Sequence, residues 1–291
     1  MQIFPKSPLI LGYFKIKMAK LIEFQLFAPY NQEAAVIGSF SDWQAIAMKK
    51  GDDGYFRTKV ELEDGKYEYK FKVRSLSWFL EPDEWVEIID PYAVNIAPET
   101  QNGTITIKDG EIVVDAYVWM HDDKPLPANH ELVIYELHVG DFSGGEDNAD
   151  VRGKYQDVID KLDYLVDLGI NALELMPINE NPGEYSWGYS PQHFFAVESN
   201  YGSTDELKHL IDECHGKGIR VILDGIYNHS NTECPLTQID HDYWYHHSPT
   251  DPDNSWGPEF NYEKYDEHLD VKPAWKYVGD NVNFWISEYH I

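Results

Sequence analysis

The chain has 291 residues, 43% of them hydrophobic and 14% aromatic, enough for two ordinary domains or one of barrel size and too apolar for a disordered chain. With 23 basic residues against 51 acidic, its net charge of −28 argues against nucleic acid or an anionic membrane surface as partner. Cys214 and Cys234, the 2 cysteines, offer no disulfide framework and fit a reducing cytoplasm, and no apolar run reaches the roughly 20 residues of a membrane helix.

Lys6, Lys15, Lys17 and Lys20 precede the first acid, Glu23, but the apolar stretch 8–14 is short and lacks a small-residue cleavage pattern, so no signal peptide is expected. Ordered patterning begins just after Met18, an alternative start, and residues 1–20 are set aside as an extension. Residues 21–115 read as a small antiparallel β-sandwich. Tyr67, Tyr69, Phe71 and Val73 alternate with Lys66, Glu68, Lys70 and Lys72, the mark of a half-buried strand. Asp64-Gly65 joins it to the run 55–62 as a hairpin, and further short strands are expected at 21–27, 34–38, 85–89, 104–107 and 111–114.

Residues 116–131, with Pro125 and Pro127, read as a linker. From 132 the period changes. A buried strand at 132–139 leads to a helix at 154–168, whose apolar face is Val158, Ile159, Leu162, Leu165 and Val166 and whose stop is Gly169. A second strand follows at 172–178. Ser203 and Glu206 form a capping box for a helix carrying Leu207, Leu210, Ile211 and Cys214, and Gly218 precedes a third strand at 219–223. Three strand–helix steps in a row predict a parallel sheet, and ligands of such sheets bind beyond the carboxyl ends of the strands. Asp224, Asn228 and His229 stand at such an end. The segment from about 230 to 271 is long, aromatic and irregular, as functional excursions are. A last helix starts at Pro273 and runs through Val278, Val282, Trp285, Ile286 and Tyr289.

Asp224-Gly225-Ile226-Tyr227-Asn228-His229 resembles the first signature motif of the α-amylase family of glycoside hydrolases, family 13, an Asp on the third barrel strand followed by Asn-His. Trp187-Gly188-Tyr189-Ser190-Pro191 resembles the Trp-Gly-Tyr-x-Pro segment of its branching-enzyme-like and isoamylase-like members. Gly38-Ser39-Phe40-Ser41-Asp42-Trp43 resembles the Gly-x-Phe-x-x-Trp of the family 48 type carbohydrate-binding modules that precede such barrels. The resemblance implies a multidomain protein: an immunoglobulin-like sandwich, then at 132–291 the first three β/α units of a (β/α)8 TIM barrel with a loop subdomain at about 230–271. It implies the amino-terminal part of a retaining hydrolase acting on starch- or glycogen-like α-glucan. By resemblance Tyr189, with Trp187 nearby, stacks on the sugar at the cleavage point, His229 hydrogen-bonds its hydroxymethyl group, and Asp224 orients the motif. Trp43 and Trp78 match a glycan surface site on the sandwich, since aromatic faces suit the C–H faces of glucose. The weightier alternative for a Trp beside a turn is a core or interdomain plug.

Other readings of the same residues are less favoured. Glu174, mid-strand, is a poor acid–base partner for Asp224, and His241, His246 and His247 lack the fixed spacing of metal ligands. No cofactor is expected; calcium is the one ion the resemblance admits, through Asn228, yet one Asn without partner carboxylates makes a weak calcium site. Retention requires a nucleophilic carboxylate and a second acting as acid and base, and the family draws these from later strands, expected beyond Ile291. The chain alone is therefore expected to be inactive. The Asn228-His229 pair favours hydrolysis; a glucan branching enzyme fragment, or a non-catalytic α-glucan-binding protein, is the alternative.

Overall fold

A computed structural model of the chain describes residues 19–113, 117–143, 152–181, 183 and 186–291. The extension before Lys20, apart from Ala19, lies outside these residues, as do Val114 and Asp115. Two antiparallel sheets come first. One is built from β1 (Lys20–Phe27), β5 (Tyr55–Leu62) and β4 (Lys49–Lys50), in the order β1-β5-β4. The other runs β3-β2-β6-β8-β9, where β2 is Ala34–Gly38, β3 Ile46–Ala47, β6 Gly65–Arg74, β8 Gly103–Lys108 and β9 Glu111–Ile112; β7 (Trp85–Ile88) also pairs with β6. The period-two pattern does what it must: Ile22, Phe24 and Leu26 of β1 and Tyr69, Phe71 and Val73 of β6 turn inward. Phe24 packs edge-on against Tyr69, ring centroids 5.2 Å apart.

The second half holds three parallel strands, β10 (Ile134–Leu137), β11 (Ala172–Leu175) and β14 (Arg220–Leu223), in that order. Their register aligns Leu137, Leu175 and Leu223 across the sheet, so all three strands end at one level. Short helix α1 (Val139–Phe142) follows β10, and α4 (Thr204–Gly216) precedes β14. The Ser203–Glu206 capping box forms: Ser203 N donates to Glu206 Oε2 at 2.7 Å, and Glu206 N to Ser203 Oγ at 3.3 Å. Its buried face includes Leu207, Leu210, Ile211 and Cys214. The helix expected at 154–168 is instead two, α2 (Tyr155–Ile159) and α3 (Leu162–Leu168). A tighter turn closed by Lys161 N on Val158 O separates them and keeps Val158 and Leu162 both buried.

Two elements escape the sequence pattern. β12 (Asn179–Glu180) and β13 (His193–Val197) form an antiparallel pair inside what reads as loop. Both are buried throughout, so no polar–apolar alternation marks them. The excursion contains α5 (Pro235–Trp244), which breaks at Asp240 (φ −162°, ψ 93°). The break leaves carbonyls near its centre free for the sandwich. Ile239 O accepts from Asn31 Nδ2 at 2.9 Å and from Leu76 N at 3.0 Å, Gln238 O accepts from Ser75 Oγ at 2.6 Å, and Thr237 O accepts from Ser77 Oγ. Sandwich and excursion also share one apolar core, where Phe27 meets Trp244 at 5.8 Å between centroids. The long helix α6 (Pro273–Tyr289) closes the described chain; Tyr277 donates to Pro91 O of the sandwich at 2.9 Å and Trp285 Nε1 to Phe194 O of β13 at 3.1 Å.

Candidate functional site

The carboxyl ends of the parallel strands carry the polar residues. Asp224 immediately follows β14, and its backbone N donates to Leu175 O of β11, fixing it to the sheet. Tyr189 comes from the loop between β12 and β13. Its position depends on Gly188, whose φ of +86° is glycine territory and whose Cβ, if added, would lie 2.6 Å from Pro177 O. Tyr189 Oη donates to Asp224 Oδ2 at 2.9 Å. His229 Nε2 lies 2.9 Å from Tyr189 O, the geometry of a ring N–H donating to that carbonyl, and its Nδ1 is 3.4 Å from Asn228 Nδ2. The structure thus brings Tyr189, Asp224, Asn228 and His229 into one connected group.

Burial first, and then the bond to Asp224, pushes the Tyr189 phenol up to about 12, and the charges of Glu136 and Glu174 act in the same direction. These two glutamates face each other in the register of β10 and β11. Glu136 was not singled out by the sequence; an acid inside a buried strand was its signal. His229 itself is buried, backed by the excursion, where a Cβ on Gly257 (φ +155°) would sit 3.3 Å from its ring and 2.3 Å from Ser230 O. Phe260 N donates to Asn228 O and Asn231 Nδ2 to Ser190 Oγ at 3.1 Å, so the excursion and the Tyr189 loop are stitched together around the motif.

Deeper polar groups hold the loop's base. His138, at the end of β10, places Nε2 2.7 Å from Tyr201 Oη and 3.2 Å from Ser186 O. Glu198 accepts from Asn181 Nδ2 at 2.8 Å and Asn200 Nδ2 at 2.7 Å, while Glu180 accepts from Ser199 N at 2.8 Å. Sequence reasoning missed all three; the signal for His138 was a polar residue closing an apolar strand.

The remaining expected residues lie elsewhere. Trp187, two residues before Tyr189 in the same loop, is exposed. Trp43 sits in a left-handed turn (φ 60°) hydrogen-bonded to Gly38, opposite Tyr69, whereas Trp78 follows the other end of β6. No described ring contact joins them. Trp78 meets His247 at 5.0 Å and His241 at 5.9 Å, at the seam between sandwich and excursion, while keeping 56% of its surface exposed. His241 and His247 share Asp242, at 2.9 and 2.8 Å, and His246 N donates to Glu259 O. Among the described residues no group of three or more His, Cys, Asp or Glu side chains is placed to hold a metal ion, and the Asn228 amide nitrogen lies 3.4 Å from His229 Nδ1. No described helix is long and apolar enough to cross a membrane.

A β-sandwich is packed on parallel strand–helix units, and a tyrosine, an aspartate and a histidine are tied together at the strands' carboxyl ends, where ligands of (β/α) folds bind. Comparison with known proteins agrees. Residues 137–290 match the family model of the α-amylase catalytic domain, and residues 11–93 that of carbohydrate-binding module 48, the isoamylase N-terminal domain. The chain belongs to the α-amylase family, glycoside hydrolase family 13. It is 30% identical over 270 residues to a malto-oligosyltrehalose trehalohydrolase of Saccharolobus solfataricus, covering 93% of this chain and 42% of that protein. It is 28% identical to the 1,4-alpha-glucan branching enzyme GlgB of Pseudoalteromonas atlantica, covering 92% and 36%. Among solved structures it matches the type I pullulanase of Bacillus subtilis complexed with maltose, with a TM-score of 0.75, 27% identity, and coverage of 94% of this chain and 41% of that one. The chain spans about two fifths of the length of these relatives.

Proposed function

We propose that the residues between Trp187 and His229 form the gripping side of a glucose subsite for an α-glucan, in an enzyme that hydrolyses the glucan with retention. The observation that carries this is the pair of 2.9 Å bonds running from Asp224 through Tyr189 to His229. They hold one aromatic face, 37% of the tyrosine's surface still exposed, beside groups able to bond hydroxyls. In this reading the ring of Tyr189 stacks on the sugar with Trp187 beside it, and Asp224 fixes the ring's edge. His229 trades its bond to the Tyr189 carbonyl for one to the sugar's hydroxymethyl group. Trp43 and Trp78, on separate parts of the surface, each add an aromatic contact for glycan.

Asp224 is engaged with the tyrosine, and retention requires two carboxylates about 5 to 5.5 Å apart on either side of the bond. The 291-residue chain therefore binds glucan without cutting it. A branching-type transfer is the second reading, supported by the branching enzymes among the relatives; Asn228-His229 favours hydrolysis. The test uses the purified chain with maltoheptaose and glycogen, counting reducing ends and branch points and measuring retention on immobilised amylose. Retention with neither product is the expected result. Absence of any retention, or release of oligosaccharide by the chain, would overturn it.

A further inference from the structure

On the far side of the excursion, β1, the loop after β7 and helices α5 and α6 enclose a cavity of about 260 Å³. None of its lining residues belongs to the Tyr189 loop or to β14. Its walls are aromatic: Phe27 and Tyr55, with centroids 4.8 Å apart, and Trp244 and Tyr92. Trp244 is almost wholly buried, and its indole N–H has no hydrogen-bond partner among the described atoms. Polar groups interrupt the walls. Asp280 Oδ2 receives Tyr92 Oη at 2.8 Å and Lys276 Nζ at 2.5 Å, and Lys276 lies 6.0 Å from the centre of the Tyr92 ring. Asp90 accepts from Tyr69 Oη and Tyr92 N at 2.8 Å each. Gln25, exposed on β1, stands at the rim.

Each feature narrows the ligand. The volume lies just below the roughly 300 to 1,000 Å³ of pockets for drug-sized molecules, so it suits one ring. Aromatic walls favour a ring with apolar C–H faces. Carboxylate oxygens with lone pairs to spare, and a lysine with further N–H groups, suit several hydroxyls. Two carboxylates against one lysine, in a chain of net charge −28, disfavour a phosphorylated or otherwise anionic sugar.

We propose that this cavity is a second saccharide site, taking one neutral hexopyranose ring, either free or at the end of an α-glucan, at the junction of the sandwich and the barrel portion. Because the sandwich contributes Gln25, Phe27, Tyr55 and Asp90 and the barrel portion Trp244, Lys276 and Asp280, the bound sugar would bridge the two. The site is independent of Tyr189.

The test is calorimetric titration of the 291-residue chain with glucose and maltose, alongside Tyr189→Ala, Asp280→Asn and Gln25→Trp. Gln25 is exposed and paired with Arg57 across β1 and β5, so a tryptophan there narrows the mouth without entering the core. Millimolar binding that survives Tyr189→Ala and weakens at least fivefold in Asp280→Asn and Gln25→Trp is expected. The proposal is overturned if Tyr189→Ala abolishes all binding, if folded Gln25→Trp binds as the unaltered chain does, or if neither sugar binds at 50 mM (on the order of the weakest affinity of interest, roughly −2 kcal/mol). Should Asp280→Asn melt at a lower temperature or fail to fold, Gln25→Trp alone decides. Loss of amylose retention in Tyr189→Ala with the monosaccharide response intact would separate this site from the one at Tyr189.

Discussion

Tyr189 and Asp224, 35 positions apart in sequence, are joined by a single 2.9 Å hydrogen bond that ties the loop after the second parallel strand to the end of the third. The bond fixes the edge of the tyrosine ring and leaves its face open.

Replacing that ring separates its two roles. Tyr189→Phe keeps the face and removes the bond, and a net loss of about 1 kcal/mol or less in stability is expected. Tyr189→Ala removes the face and should weaken maltoheptaose binding by about 0.5 to 1.5 kcal/mol, roughly two- to tenfold, by calorimetry. Equal affinity in Tyr189→Ala and the unaltered chain would show that the ring does not touch sugar.

The seam between sandwich and excursion rests heavily on Asn31, which is fully buried and donates to Arg74 O at 2.7 Å and Ile239 O at 2.9 Å. Asn31→Ala removes both bonds, and Ile239 O keeps only the one from Leu76 N. A loss of about 3 kcal/mol in thermal or urea unfolding is expected, with faster proteolytic cleavage near the α5 break. Unchanged unfolding would mean that water replaces both bonds at no cost.

Buried acids make the fold sensitive to pH. Burial, with the charge of Glu180 adding, pushes Glu198 up to about 7, and burial pushes Asp90 and Asp240 up to about 6. For each, the folded state holds the proton more tightly than the unfolded chain, so the stabilisation is complete below about pH 4 and is lost as pH rises through about 6 to 7. His193 runs the other way: burial lowers it to about 4, so its contribution is lost as pH falls from about 6.5 towards 4. Burial also raises Glu180 and lowers His215, so four acids against two histidines predict a higher melting temperature at pH 5.5 than at 7.5, and Glu198→Gln should flatten the part of that slope near pH 7. A melting temperature that rises from 5.5 to 7.5 contradicts this.

Among the described residues β14 pairs with β11 along one edge only, and a trough of about 590 Å³ separates it from α6, lined in part by Val221, Leu223 and Ile286. An unpaired edge beside apolar surface invites pairing between chains. Sedimentation velocity of the 291-residue chain should show association that grows with concentration, and Ile222→Lys should reduce it. A single monomeric species across the concentration range would refute the expectation.

The sequence by itself determined the elements whose physics is local. Period-two alternation marked β6, the Ser203–Glu206 box marked the start of α4, and apolar runs between glycines marked the parallel strands, because each depends on neighbours within a few residues. Asp224, Asn228 and His229 stood out at the end of a strand, whereas Tyr189 was singled out only by the resemblance of its Trp-Gly-Tyr-x-Pro segment. Tertiary structure alone decided what lies between them: the Tyr189–Asp224 bond, the His229 contact with a carbonyl 40 positions away, and the buried β12–β13 pair. It also decided that α5 breaks at Asp240, where carbonyls released from the helix meet Asn31, Ser75 and Ser77 of the sandwich. Hydrogen-bond partners so distant in sequence leave no periodic trace, and only folding brings them within reach.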